Sequence, residues 1–127
     1  MKAQYRILSF LSLFWIWGCS SVDVQDYQNK SPELKIENYF QGKSKAWGVF
    51  QDRFGKVRRR FVVDIQGDWD AENKVLILTE DFQYDDGETE QRVWTITKTG
   101  KNSYNGVADG VVGIAEGESS GNAFNFR

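Results

Sequence analysis

The stretch Leu76 to Trp94, LILTEDFQYDDGETEQRVW, reads as two β-strands folded about a turn. Side chains alternate between the faces of a strand, so Leu76, Leu78, Glu80, Phe82 and Tyr84 form one row, and Glu90, Arg92, Trp94 and Ile96 form the returning one. Gly87 falls where a three-residue hairpin with a G1 bulge needs positive φ, which pairs Tyr84 with Glu88, Glu80 with Arg92 and Leu78 with Trp94. Each apolar row therefore carries a charge at its centre, and the two charges stand opposite each other.

The same chemistry extends upstream. In "DRFGK" Gly55 takes the turn position, so Asp52 pairs with Lys56, and counting back sets Trp47 opposite Phe61 and Val49 opposite Arg59. A four-residue loop, Asp70 to Asn73, pairs Ile65 with Leu78, Val63 with Glu80 and Phe61 with Phe82. Strands are predicted over Lys43 to Asp52, Lys56 to Trp69, Lys74 to Tyr84, Glu88 to Lys98 and Ser103 to Ala115, with a sixth from near Ser119. The only proline, Pro32, precedes them all, so none is barred from a central position. Gly106, Gly110, Gly113, Gly117 and Gly121 imply bends or bulges such as a closing sheet needs. Ahead of the strands, "SPELKIENYFQG" carries Ser31 as an N-cap, Pro32 at a first helical position and Gly42 as a stop. It predicts a short helical turn that lays Ile36, Tyr39 and Phe40 over one end of an antiparallel meander, a barrel or partial barrel.

These registers gather Trp47, Val49, Phe61, Val63, Ile65, Trp69, Leu76, Leu78, Phe82, Tyr84, Trp94 and Ile96 on one face, together with Arg59, Glu80 and Arg92. An isolated buried charge costs several kcal/mol, so Glu80 and Arg92 are expected to meet each other, water or a ligand. A structural salt bridge that fixes register is the plainer expectation. Arg59 has no acid opposite it on this reading, and near the turns at Gly55 and Gly87 it would either snorkel to solvent or hold an anionic headgroup. The opposite face, with Arg58, Arg60, Asp64, Gln66, Asp68, Thr79, Asp81, Gln83, Gln91, Thr95 and Thr97, reads as solvated surface. The acids Asp85, Asp86, Glu88 and Glu90 crowd one turn, but it is too tight and wrongly spaced to wrap calcium, and no metal or cofactor is expected.

Composition narrows the chemistry. The chain has 127 residues, one cysteine and no histidine, which excludes an internal disulfide, imidazole-based nucleophile pairs and histidine-built zinc sites. Lys2 and Arg6, the apolar run Ile7 to Trp17 and then Gly18-Cys19 have the layout of a processed leader, too short to span a bilayer comfortably. "IWGC", Ile16 to Cys19, resembles a bacterial lipobox with Trp17 in place of the usual small residue. The competing readings are a secretory signal with an incidental cysteine, or a buried anchor. On the first reading, residues 1–18 are a signal peptide, 19–30 a polar tether lipidated at Cys19, and 31–127 the β domain, with Ser20 and Ser21 favouring the outer membrane. Loss of the leader leaves 14 basic against 18 acidic residues, a net charge of −4, which does not suit nucleic acid. The basic cluster "KVRRRF", Lys56 to Phe61, alternates between faces and so makes no single patch.

The segments "PELKIENYFQGKSKAWGVFQDRFGKVRRRF", "LTEDFQYDDGETEQRVW" and "GVADGVVGIAEGESSGNAFNF" together resemble a family of proteobacterial lipoproteins known as domain of unknown function 3833, over Pro32 to Phe126. The resemblance implies an envelope lipoprotein facing the periplasm, and family members that continue through further strands absent here; it implies no chemistry. "IENYFQGKSKAWG" is also similar to the opening of lipocalin-like barrels. The expected fold is thus all-β, an antiparallel, lipocalin-like barrel or partial barrel. The expected function is a binding module for a lipid or fatty acid, with Arg59, Tyr84, Glu80, Arg92, Trp47 and Trp94 as candidate contacts and the membrane as a second partner through Cys19. The alternative is a structural or assembly role through protein contacts; an enzyme using Glu80 ranks last.

Overall fold

The hairpin at Gly87 forms as its residues dictate. In the computed structural model, which describes residues 22–127, Gly87 has φ +86° and the Tyr84 amide donates to the Glu88 carbonyl at 2.9 Å. Strands β3 (Val75–Tyr84) and β4 (Thr89–Lys98) pair with Leu78 against Trp94 and Glu80 against Arg92. Around them runs a meander of β1 (Gly42–Gln51), β2 (Val57–Asp70), β5 (Ser103–Ala108), β6 (Ala115–Ser120) and β7 (Ala123–Phe126). All seven strands are antiparallel neighbours in chain order, and β1 and β7 do not pair. The sheet curls into a half-barrel with one long open side.

Six predicted strands became seven because the fifth segment breaks. Gly110 and Gly113, at φ +79° and +84°, turn the chain out of the ladder between Ala108 and Ala115. The loop between β2 and β3 also sits one residue later than expected, at Ala71–Lys74, with Lys74 at φ +56° and the Asp70 carboxylate accepting from the Glu72 and Asn73 amides. Ile65 therefore meets Glu80, and Phe61 meets Tyr84. A shift of two leaves every side chain on its face.

The first hairpin differs in a way that matters more. Its turn is as expected, with Gly55 at φ +80° and the Asp52 amide donating to the Lys56 carbonyl at 3.0 Å. One step beyond, however, Gln51 pairs with Val57 while Phe50 pairs with Arg59, so Arg58 is an extra residue, a β-bulge. A one-residue slip moves every side chain to the other face. Ser44, Ala46, Gly48 and Phe50 line the concave side, whereas Trp47 and Val49, expected there, lie on the convex side with 71% and 43% of their surface exposed.

The core sits at the end away from the glycine turns. Ile36, Leu76, Leu78, Ile96 and Tyr104 are buried together, with Trp69, Trp94, Phe124 and Phe126 packed around them. The helical turn that caps this end, α1 (Ile36–Tyr39), starts four residues after Pro32, with Lys35 at its N-cap in place of Ser31. Ile36 enters the core and Phe40 packs on it, but Tyr39 points out, 66% exposed. The Phe40 carbonyl lies so close over Gly67 that a Cβ there would stand 1.8 Å from its oxygen. Glycines do similar service further along the concave face: the rings of Phe61 and Phe126 close on Gly48 and Gly106, where a Cβ would meet them at 2.3 and 2.4 Å. Buried Glu37 docks the helix, accepting from the Tyr104 hydroxyl at 2.8 Å and pairing with Lys98. Burial raises the Glu37 carboxyl, but hydrogen bonds from Lys98, the backbone and Tyr104, with the Lys98 charge, hold it below the usual carboxylate range. Residues 24–27, expected in a tether without structure, form a 3₁₀ turn whose Val24 is buried and whose Gln25 side-chain Nε2 donates to Glu118 Oε1 at 2.6 Å. Cys19 and residues 1–18, expected as a signal peptide, lie outside the described residues.

Candidate functional site

The concave face changes character toward the glycine-turn end. Phe50, Phe61, Phe82 and Tyr84, brought together from three strands, form a connected set with ring centroids 5.2 Å (Phe50–Phe61), 5.5 Å (Phe61–Phe82) and 6.0 Å (Phe82–Tyr84) apart. Half of the Phe50 surface remains open to solvent. Phe82 is buried beneath its neighbours at 9% exposure, and among the described residues no strand pairs beyond β1 on the open side of the sheet.

A rim of charges surrounds them, wired differently from the sequence-based expectation. Arg59, expected without an acid, is clasped from the β3–β4 turn: Nη2 donates to Asp86 Oδ1 at 2.9 Å and also to Glu88. Its Nε lies 2.7 Å from Asp86 Oδ2 but off the hydrogen-bonding line, so that contact is ionic rather than directional. The guanidinium stacks 3.5 Å above the Tyr84 ring. The Arg59 hydrogen bond is the main cause holding the Asp86 carboxyl below its usual range. Two acids reached Arg59 because they sit in the turn, beyond the ladder that cross-strand counting covers.

Glu80 and Arg92 are directly paired and share the concave face, as expected, but they do not form the salt bridge. Arg92 Nη2 turns to Glu90 Oε1 at 3.0 Å and lies 5.5 Å above the Phe82 ring. Glu90 also accepts from the Tyr84 hydroxyl at 2.8 Å, and these two partners lower its carboxyl, Tyr84 first. Glu80 is left half-buried without an ion pair. Burial pushes its carboxyl above the usual range, and the Arg92 charge and the Trp94 side chain offset this only in part. Of the six candidate residues, the fold thus gathers Arg59, Tyr84, Glu80, Arg92 and Trp94 on the concave face; Trp47 lies behind it.

Sequence reasoning missed Phe50, which the bulge turns inward, and the Glu37–Lys98–Tyr104 cluster. Lys98 was legible as the next member of the row Glu90, Arg92, Trp94 and Ile96. Glu37 was not, since only the docking of α1 brings it there. Chemically, the face offers an aromatic trough, one carboxyl that takes up a proton more readily than usual, and a rim whose cations are already matched to acids.

The family described as "Protein of unknown function (DUF3833)" matches residues 13–127, and the chain belongs to it. No curated protein and no solved structure matches the chain.

Proposed function

We propose that this member of the family is an outer-membrane lipoprotein, anchored through Cys19 and facing the periplasm, whose half-barrel binds a lipid-like amphiphile along its concave face. The observation that carries this reading is the aromatic trough of half-exposed Phe50 with the partly exposed rings of Phe61 and Tyr84, floored by buried Phe82, beside a charged rim. An apolar chain laid there would remove ring surface from water at about 25 cal/mol per Å². The rim suits a zwitterionic or hydrogen-bonding headgroup better than a bare anion, because Arg59 and Arg92 are each already paired with acids. A hydrolytic reading has less support, since the second acid near Glu80, Glu90, is already held by the Tyr84 hydroxyl and by Arg92.

Titration of the purified protein with a fluorescent polyene fatty acid and with a fluorescent phospholipid tests this. Wild type should take up one or both, and Phe50→Ser, at a half-exposed position, should weaken uptake about tenfold without unfolding the sheet. If neither probe binds, or if Phe50→Ser binds as wild type does, the concave face is not a lipid site, and contacts with another protein become the better reading.

A further inference from the structure

The bulge that turns Phe50 inward turns Trp47 and Val49 outward, and it does so beside most of the basic residues of the first hairpin. On the convex face Trp47 pairs across to Val62, and Val49 to Arg60, with a depression of about 640 Å³ among them. Lys43 and Lys45 precede Trp47 on the same face of β1, Arg58 and Arg60 stand in β2, and the adjoining turn carries Arg53, Lys56 and Phe54, which is 81% exposed. Two of these cations are neutralised, Arg58 by Asp52 at 2.7 Å and Lys45 by Asp64 at 3.0 Å. Among the described residues, Lys43, Arg53, Lys56 and Arg60 have no ion-pair partner, and Asp85 is the one acid bordering the apolar centre.

This concentration of unmatched positive charge stands against a chain that is net acidic, with 18 acidic residues to 16 basic ones. Exposed tryptophan flanked by aliphatic side chains and ringed by Lys and Arg is the pattern that settles at a bilayer surface: the indole belongs at the headgroup level, and each basic residue near an anionic surface adds about a fivefold gain in binding. A nucleic-acid partner fits less well, since the centre of the patch is Trp47, Val49 and Val62 rather than a row of rings for bases to stack on. We propose that the convex face of the first hairpin docks on an anionic lipid surface, with Trp47 seated in the headgroup region. This is a contact on the opposite side of the sheet from the ligand trough and independent of it.

The test uses the full chain reconstituted into vesicles whose lipids carry brominated acyl chains. Comparing wild type with Trp47→Phe isolates the emission of Trp47 from that of the other four tryptophans. In vesicles of phosphatidylglycerol and phosphatidylethanolamine, more than half of the Trp47 emission should be quenched. In phosphatidylcholine vesicles, and in a Lys43→Glu, Arg60→Glu variant, that quenching should largely vanish. Both substitutions are at exposed positions, so a circular dichroism spectrum like that of wild type is expected and checks the fold. Unquenched Trp47 in the anionic vesicles overturns the proposal. Equal quenching in phosphatidylcholine also overturns it, because charge would then not direct the contact. So does a dimer that wild type forms and Trp47→Phe does not, which would make a second copy the occupant.

Discussion

At the scale of single residues, direct pairing across a ladder did not decide ionic partnership. Glu80 and Arg92 face each other, yet Arg92 reaches Glu90, two residues away on its own strand and nearer to solvent. A charge that can meet its partner at the rim avoids the desolvation it would suffer beside a half-buried acid. Glu80 is left with a carboxyl raised above its ordinary value of 4.5, chiefly by burial. A raised acid binds its proton more tightly in the fold than in the unfolded chain. Its contribution is therefore favourable below the unfolded value and is lost as pH rises through the folded one. At neutral pH the ionised Glu80 is a net cost. Glu80→Gln should then melt roughly 2–5 °C higher than wild type at pH 7, with the gain shrinking at pH 4 and below. Thermal melts across that range check it; a lower melting temperature at pH 7 would mean that Arg92 and Trp94 stabilise the carboxylate more than burial penalises it.

At the scale of elements, the two glycine turns were sound, the β2–β3 loop fell one residue late, and register drifted between turns. Gly55 and Gly87 both took the positive φ assigned to them. The bulge at Arg58 was not written in any turn, yet it decided which face of β1 is inside. A warning was present all the same: Lys43 and Lys45 share the row of Trp47 and Val49, and two lysines argue that the row faces water. The opposite row, Ser44, Ala46 and Gly48, is small, and at Gly48 the Phe61 ring of β2 takes the room a side chain would need. The docking of α1 makes a sharper claim on one residue. At Gly67 an added Cβ would sit 1.8 Å from the Phe40 carbonyl oxygen, a backbone atom that cannot rotate away. Gly67→Ala should therefore lift α1 from the sheet and cost about 2–3 kcal/mol in denaturant unfolding. Wild-type stability in that variant would show that the helix is only loosely held.

For the whole molecule, the same half-barrel presents two surfaces of different kinds: an aromatic trough inside and a basic, tryptophan-centred patch outside. Their separation lets each proposal fail alone, since Phe50 reports on one and Trp47 on the other. The proposed anchor at Cys19 belongs to neither and is tested in cells. Cys19→Ser should accumulate as the unprocessed precursor and lose incorporation of a labelled fatty acid. Normal processing and labelling would remove Cys19 as the lipid site.

By itself the sequence determined the strand count to within one, the antiparallel order, the two glycine turns and the concave placement of Arg59, Glu80, Tyr84, Arg92 and Trp94. These follow from local rules, alternation with period two and the φ that a turn demands, which operate over a few residues. Only the tertiary structure decided the face of Trp47, the acids that hold Arg59, the separation of Glu80 from Arg92 and the burial of Glu37. Each of these depends on a displacement that local rules do not sense: one extra residue in a strand, a turn folding back over its own sheet, or a helix closing one end. It was one such displacement that joined basic residues scattered along two strands and a turn into a single face.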